Sequence, residues 1–135
     1  MQKIILGSIL LVSSIVAYDI SIKVKNIDSD GKLYIGLYNE KRDFKNILKT
    51  YKNSIVDINS STLKVIFKNI PKGVYAISLF HDKNGNGELD RNLFGVPTEG
   101  YGFSNNIRHM FRGANFEESK FELNEDREIV INIGY

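Results

Sequence analysis

The side chains of residues 82–90, Asp-Lys-Asn-Gly-Asn-Gly-Glu-Leu-Asp, have the types and spacing of calcium ligands. The oxygen-bearing side chains at the first, third, fifth and ninth positions are those of Asp82, Asn84, Asn86 and Asp90. Gly87 takes the sixth position, where a glycine permits the sharp turn that aims alternate side chains inward. Because calcium takes roughly six to eight hard oxygen ligands, this pattern predicts calcium as a cofactor.

The predicted calcium site needs a further carboxylate from outside the loop. A complete EF-hand loop ends in a bidentate glutamate, but Leu93 stands at that position, so the pattern does not favour an EF-hand. Glu99 is the nearest carboxylate that follows, and we expect it to close the site. The predicted metal ligands are Asp82, Asn84, Asn86, Glu88 through its backbone carbonyl, Asp90 and Glu99. The alternative is that Asp, Asn and Gly form only turns here, because their side chains bond the local backbone.

A second group of residues follows at 99–106, where two aromatic side chains alternate with glycines and precede two amides. Tyr101, Phe103, Asn105 and Asn106 form a candidate stacking and hydrogen-bonding surface for a sugar or a peptide. The alternative is that the two aromatic rings pack beneath the calcium loop as a small satellite core.

The sequence does not favour an enzyme. His81 and His109 are the only histidines, the chain has no cysteine, and neither a GxSxG nor an HExxH motif occurs. His81 precedes Asp82 and could bind a transition metal, but few nitrogen or sulfur partners exist for such a site. A packed or solvated histidine at the end of a strand is the alternative that we favour.

Residues 1–17 have the pattern of a secretory signal peptide, with Lys3 before an apolar run and the small residue Ala17 at its end. The run is shorter than the roughly 20 residues that cross a bilayer, so a retained membrane anchor is the weaker interpretation. No cysteine follows it, which excludes a lipid-anchored lipoprotein. We therefore expect a periplasmic or secreted protein with one domain at residues 18–135 and no membrane span once the signal peptide is removed.

The charge of the chain is close to balanced, with 18 Lys and Arg residues against 16 Asp and Glu residues. This balance argues against a nucleic-acid-binding surface, and we expect an envelope protein or a glycan as partner. An exported chain without cysteine has no disulfides, so apolar burial must stabilise it, and bound metal could add to that stability.

Apolar residues recur mainly at every second position, which predicts strands with one buried face. The predicted strands lie at 20–24, 33–37, 63–67, 74–80, 121–123 and 129–133. They predict an all-β, single antiparallel sandwich of about seven strands, either transthyretin-like or immunoglobulin-like. The turn-forming residues 28–31 predict that the first two strands pair as a hairpin, and the apolar run at 74–80 predicts a central strand.

One short helix is predicted within residues 40–52. Phe44, Ile47, Leu48 and Tyr51 recur there at helical spacing.

Several motifs occur together in the chain. They are Pro71-x-Gly73-x-Tyr75, the His81-Asp82-x-Asn84-x-Asn86-Gly87-x-x-Asp90 loop, the segment from Phe94-Gly95-x-Pro97 through Glu99-Gly100-Tyr101-Gly102-Phe103-Ser104-Asn105-Asn106, and the aromatic residues Phe116, Phe121 and Tyr135. In this combination the chain resembles the bacterial family named domain of unknown function 2141. The resemblance implies a small, exported, all-β domain and brings no established activity.

Overall fold

The computed structural model describes residues 4–5, 7–9 and 15–135. The predicted signal peptide at 1–17 falls largely outside these residues and stays a prediction. Among the residues that are described, no helix is long and apolar enough to cross a membrane.

The described residues form eight strands in two packed sheets, which confirms the predicted all-β sandwich. The strands are β1 (Ala17–Lys25), β2 (Gly31–Tyr38), β3 (Lys52–Ile58), β4 (Leu63–Pro71), β5 (Gly73–Asp82), β6 (Tyr101–Phe103), β7 (Phe121–Leu123) and β8 (Arg127–Asn132). The smaller sheet has the order β4-β1-β8, and the larger sheet has the order β3-β2-β5-β6, with β7 also paired to β5.

The predicted hairpin between β1 and β2 is wrong. β1 pairs with β4 and, in parallel, with β8, whereas β2 lies in the other sheet between β3 and β5. The connection crosses from one sheet to the other, with Asn26 at a φ of 68° and the N–H of Ile27 bonded to Ser61 O. Each strand buries one apolar face. Two such strands satisfy this pattern equally well when they face each other across the core and when they lie side by side in one sheet.

The core lies between the two sheets and is built from the alternate residues that the sequence predicts. Ile20, Ile22 and Val24 of β1 are fully buried, as are Leu33, Ile35 and Leu37 of β2. β5 is central, as its apolar run predicts: it pairs with β2 on one side and with β6 and β7 on the other.

The predicted helix within 40–52 is also wrong. That segment forms two 3₁₀ turns, Lys41–Asp43 and Ile47–Lys49, and β3 begins at Lys52. Lys45, between the turns, has a φ of 73°, and the side chain of Asn46 accepts the N–H of Leu48 and starts a new turn. A left-handed residue interrupts any continuous α-helix, so the helical spacing was accidental. The α-helix of the described residues is α1 (Phe116–Ser119), which a capping box between Asn115 and Glu118 begins.

Candidate functional site

Asp82 ends β5 and organises the predicted calcium loop. Its carboxylate is fully buried, and its two oxygens accept the N–H groups of Gly85 at 3.0 Å and Gly87 at 2.9 Å. Both glycines have positive φ values, 75° and 77°, which a side chain would strain. The first residue of the loop therefore holds the fourth and sixth in a tight turn.

The ninth residue, Asp90, draws two other predicted ligands together. The amide nitrogens of Asn84 and Asn86 donate to its two carboxylate oxygens at 2.5 and 2.6 Å. The pKa of Asp90 is held below its usual value, first by the hydrogen bond from Asn86, against an opposing effect of burial, and then by Asn84 and the carboxyl group of Glu99. The carboxyl groups of Asp90 and Glu99 are therefore neighbours.

Glu99, the residue predicted to close the site, does reach the loop. Its carboxylate is 94% removed from solvent, since only 6% of the residue is exposed, and it accepts the N–H of Lys83 at 2.6 Å and of Asp90 at 3.0 Å. The buried carboxylate of Glu99 thus holds both ends of the loop, and the buried carboxylate of Asp82 holds the turn between them.

The predicted ligands do not all converge on one point. Within the described ranges no three His, Asp or Glu side chains are arranged to hold a metal, and the predicted role of the Glu88 backbone carbonyl stays a prediction. The carboxylates of Asp82 and Glu99 instead face backbone N–H groups. Over the same ranges, none of the three carboxylates of Asp82, Asp90 and Glu99 forms a salt bridge.

His81 is a packed residue, as we favoured. It is fully buried, and its Nε2 lies 2.7 Å from the carbonyl oxygen of Asp30, which can only accept, so Nε2 carries the proton. Nδ1 then accepts from the hydroxyl of Tyr135 at 2.8 Å, and that hydroxyl accepts the N–H of Asp28. Both ring nitrogens are occupied, which leaves none to bind a metal.

Tyr101 and Phe103 belong to an aromatic layer on the outer face of the larger sheet, the face turned away from the core. Tyr34 and Phe80 stack there with ring centres 4.8 Å apart, and Tyr101 packs edge-on against Phe103 at 5.7 Å. Phe44 covers Phe103 from the loop above, at 6.0 Å. Phe103 is buried and Tyr101 is half-buried, so the satellite-core interpretation holds for Phe103.

Asn105 and Asn106 are occupied by backbone contacts. Both have positive φ values, 65° and 51°. The amide of Asn105 donates to the carbonyls of Glu118 and Lys120, and Asn106 bonds both Val130 O and the N–H of Asn132. Their amides tie the end of β6 to its neighbours, so the geometry gives no support to their predicted ligand role.

The outer face also carries a cavity of about 920 Å³ that no motif in the sequence indicates. Its floor includes Ser78, Phe80, Tyr101 and Phe103, and three loops wall it, at residues 44–48, 87–97 and 110–113. The calcium loop contributes Gly87 to Leu89, so the two candidate sites share a wall. The volume lies within the range of small-molecule sites.

Apolar side chains surround the mouth of this cavity in nearly full contact with solvent. Their exposed fractions are 90% for Leu48, 90% for Phe94, 88% for Met110 and 94% for Phe111. Such a cluster on a small domain usually marks a binding surface. These residues lie on three loops that are separate in sequence, so only the fold brings them together.

A family model described as "Uncharacterized protein conserved in bacteria (DUF2141)" matches residues 22–131, which agrees with the resemblance in the motifs. No curated protein and no solved structure matches the chain.

Proposed function

The chain belongs to the DUF2141 family of bacterial proteins, and on that premise we propose that it is an exported β-sandwich module whose loop at residues 82–90 binds calcium. The ion would order the long connection between β5 and β6. The module would then serve as a structural or binding component of the cell envelope. The pattern of residues 1–17 supports export to the periplasm or beyond.

The unbalanced charge of the loop carries the proposal for calcium. Asp82, Asp90 and Glu99 each bond to the loop through a carboxylate, and two of these carboxylates are nearly or fully buried. None of them forms a salt bridge with a basic side chain of the described residues, and Lys83 of the loop pairs with Asp28 instead. Buried carboxylates are costly unless a cation or a full set of hydrogen bonds compensates them. A hard divalent cation suits three carboxylates together with amide oxygens.

The hydrogen bonds of the loop also favour a cation. Asn84 and Asn86 already point at Asp90, and an amide exchanges its oxygen and nitrogen by a half-turn of χ2. Turned in this way, both side chains would present oxygen beside the Asp90 carboxylate. Their two bonds to Asp90 and two local bonds from N–H groups would be lost, and coordination of the ion would replace them. With two neutral amides in the set, we expect a Kd of roughly 10⁻⁴ to 10⁻³ M.

A thermal melt in chelator and then across micromolar to ten-millimolar calcium tests the proposal. At ten times Kd, binding stabilises the folded state by about 1.4 kcal/mol, which raises Tm by roughly 3–8 °C in a domain of this size. Magnesium at the same concentrations should give a smaller shift.

Asp82→Ala should lower stability in chelator and abolish the calcium-dependent rise in Tm. Asp57→Ala, which removes an exposed carboxylate of β3, is the matched control and should keep the rise. An identical rise in both variants, or none in the unaltered protein up to ten millimolar calcium, would show that the Asp, Asn and Gly residues of the loop only form turns.

The cavity favours a second candidate function, the binding of a small ligand such as a sugar or peptide through Tyr101 and Phe103. Tyr101→Ala should then leave folding intact and weaken binding in a glycan and peptide screen. Binding that persists unchanged in this variant would exclude Tyr101 from the site.

A further inference from the structure

We propose that the cavity on the outer face binds a single-chain amphiphile with an anionic head group, such as a long-chain carboxylate. This inference rests on the second candidate function above, and it replaces the sugar or peptide with a different class of ligand. The composition of the cavity, the placement of its charges and its concave shape carry it.

The walls suit an alkyl chain better than a sugar. Aromatic and aliphatic side chains dominate them, including Phe44, Phe80, Val96 and Phe103. A sugar needs many paired donors and acceptors, whereas few neutral polar side chains line this cavity. The amides of Asn105 and Asn106, the nearest polar groups in the sequence, are bonded to backbone instead.

The charges in the cavity are mainly positive. Lys45, Arg91 and Arg112 line it, against a single acidic side chain, Glu88. Burial and then the charges of Arg91 and Arg112 lower the pKa of Lys45, against an opposing effect of Glu118, so Lys45 lies close enough to both arginines to be repelled. An anionic head group would relieve that repulsion.

Two of the three cations are available for a ligand. Arg112 forms a salt bridge with Glu118 at 2.6 Å, but neither Lys45 nor Arg91 forms one with any residue that the structure describes. Arg91 donates only to the carbonyl of Gly95, at 2.9 Å, among these residues. A carboxylate can therefore gain two charge-assisted contacts without displacing an acid of the protein.

The exposed rim fits the other end of such a ligand. Leu48, Phe94, Met110 and Phe111 stand around the mouth with little apolar contact of their own. An alkyl chain that leaves the cavity would cover them and remove apolar surface from water. The concave shape favours one enclosed molecule over a flat partner surface.

The experiment is calorimetric titration of the full chain with laurate below its micellar concentration, with dodecanol, dodecyltrimethylammonium and butyrate as comparisons. EDTA is present throughout, since calcium salts of long carboxylates precipitate. This condition also separates the result from the calcium proposal, which the thermal melt tests alone. We expect one laurate per chain, binding at least tenfold weaker for the cationic amphiphile, and no binding of butyrate.

A double variant tests the role of the two cations. Lys45→Gln with Arg91→Gln should weaken laurate binding at least tenfold and leave dodecanol binding unchanged. Lys64→Gln with Lys68→Gln removes the same charge from exposed positions of β4 and should change neither. Circular dichroism confirms that both variants are folded.

Three results would overturn the proposal. Equal affinity for all three long-chain compounds would show that charge plays no part. Absence of saturable laurate binding, together with sedimentation on phosphatidylglycerol vesicles, would make the rim a membrane contact. Concentration-dependent dimerisation that laurate does not reverse would make the rim an interface between two copies of the chain.

Discussion

The two faces of the larger sheet are built from the same strands but differ in how far their side chains are buried. On the inner face, Leu33, Ile35 and Ile77 are fully buried against the smaller sheet. On the outer face, their neighbours Tyr34 and Phe80 are covered only in part, by loops. Aliphatic side chains interdigitate with a second sheet, whereas a layer of large rings under loops leaves a cavity of about 920 Å³. One face supplies stability and the other leaves room for a ligand.

The largest expected effect comes from breaking the inner face. Ile77→Ala removes a fully buried side chain of the central strand and should reduce the free energy of unfolding by about 2–5 kcal/mol. Ile55→Ala on the edge strand β3, where 52% of the side chain is exposed, should change it by less than about 0.5 kcal/mol. Urea unfolding of both variants measures the difference. Equal losses would contradict the assignment of the core to this face.

A smaller loss is expected where the sheet ends at the loop. Glu99→Ala leaves the N–H groups of Lys83 and Asp90 without their acceptor and should cost about 1–3 kcal/mol in chelator. Glu122→Ala, at an exposed position of β7, is the control and should be nearly neutral. Urea unfolding in EDTA again provides the measurement. A neutral Glu99→Ala would mean that water replaces the carboxylate without loss.

The outer face should tolerate change better than the inner one. Phe80→Leu keeps an apolar side chain but loses the stack on Tyr34, for which we expect a loss of about 0.5–1.5 kcal/mol. Phe94→Leu alters a rim side chain that is 90% exposed and should leave stability within about 0.5 kcal/mol. A loss for Phe80→Leu as large as that for Ile77→Ala would erase the contrast between the faces.

The smallest expected effect is the loss of folding stability at acid pH. The hydrogen bond from Arg112, opposed by burial and reinforced by Asn115 and His109, lowers the pKa of Glu118 from 4.5 to about 2. The unfolded chain therefore takes up the proton first as pH falls. The stabilisation is complete above pH 4.5 and is lost between there and about pH 2.

Since Glu118 caps the helix that helps to cover the outer face, this part of the acid dependence arises at that face. Glu118→Gln should flatten the change of the urea midpoint between pH 6 and pH 3, whereas Glu122→Gln should not. An unchanged slope in Glu118→Gln would assign the acid sensitivity to other carboxylates.

The inner face was predictable from sequence because burial between two sheets imposes a period of two on every strand. The predicted positions at 20–24, 33–37 and 74–80 all lie within strands of the structure. The partners of those strands were not predictable, because period two fixes which face is buried and leaves the choice of neighbour open. For this reason β1 was paired with the wrong strand.

The loop and the outer face differ in the same way. The loop was found because its ligand spacing is local, and the structure does bring Glu99 to Asp90. The cavity depends on loops distant in sequence, at 44–48, 87–97 and 110–113, and no local pattern indicates that they meet. The edge strand β3 was missed for a related reason, since its side chains are mostly exposed and show no apolar alternation.

The parallel pairing of β1 with β8 affects the order of folding. Ile20 to Lys25 lie beside Arg127 to Asn132, and the side chain of Asn26 bonds Ile133 O across 107 positions of sequence. The first strand of the domain therefore lacks one neighbour until residues 127–132 have been synthesised. High contact order slows folding, because distant segments must meet before their contacts repay the entropy of closing the chain. The smaller sheet of a nascent chain thus stays incomplete until β8 has been synthesised.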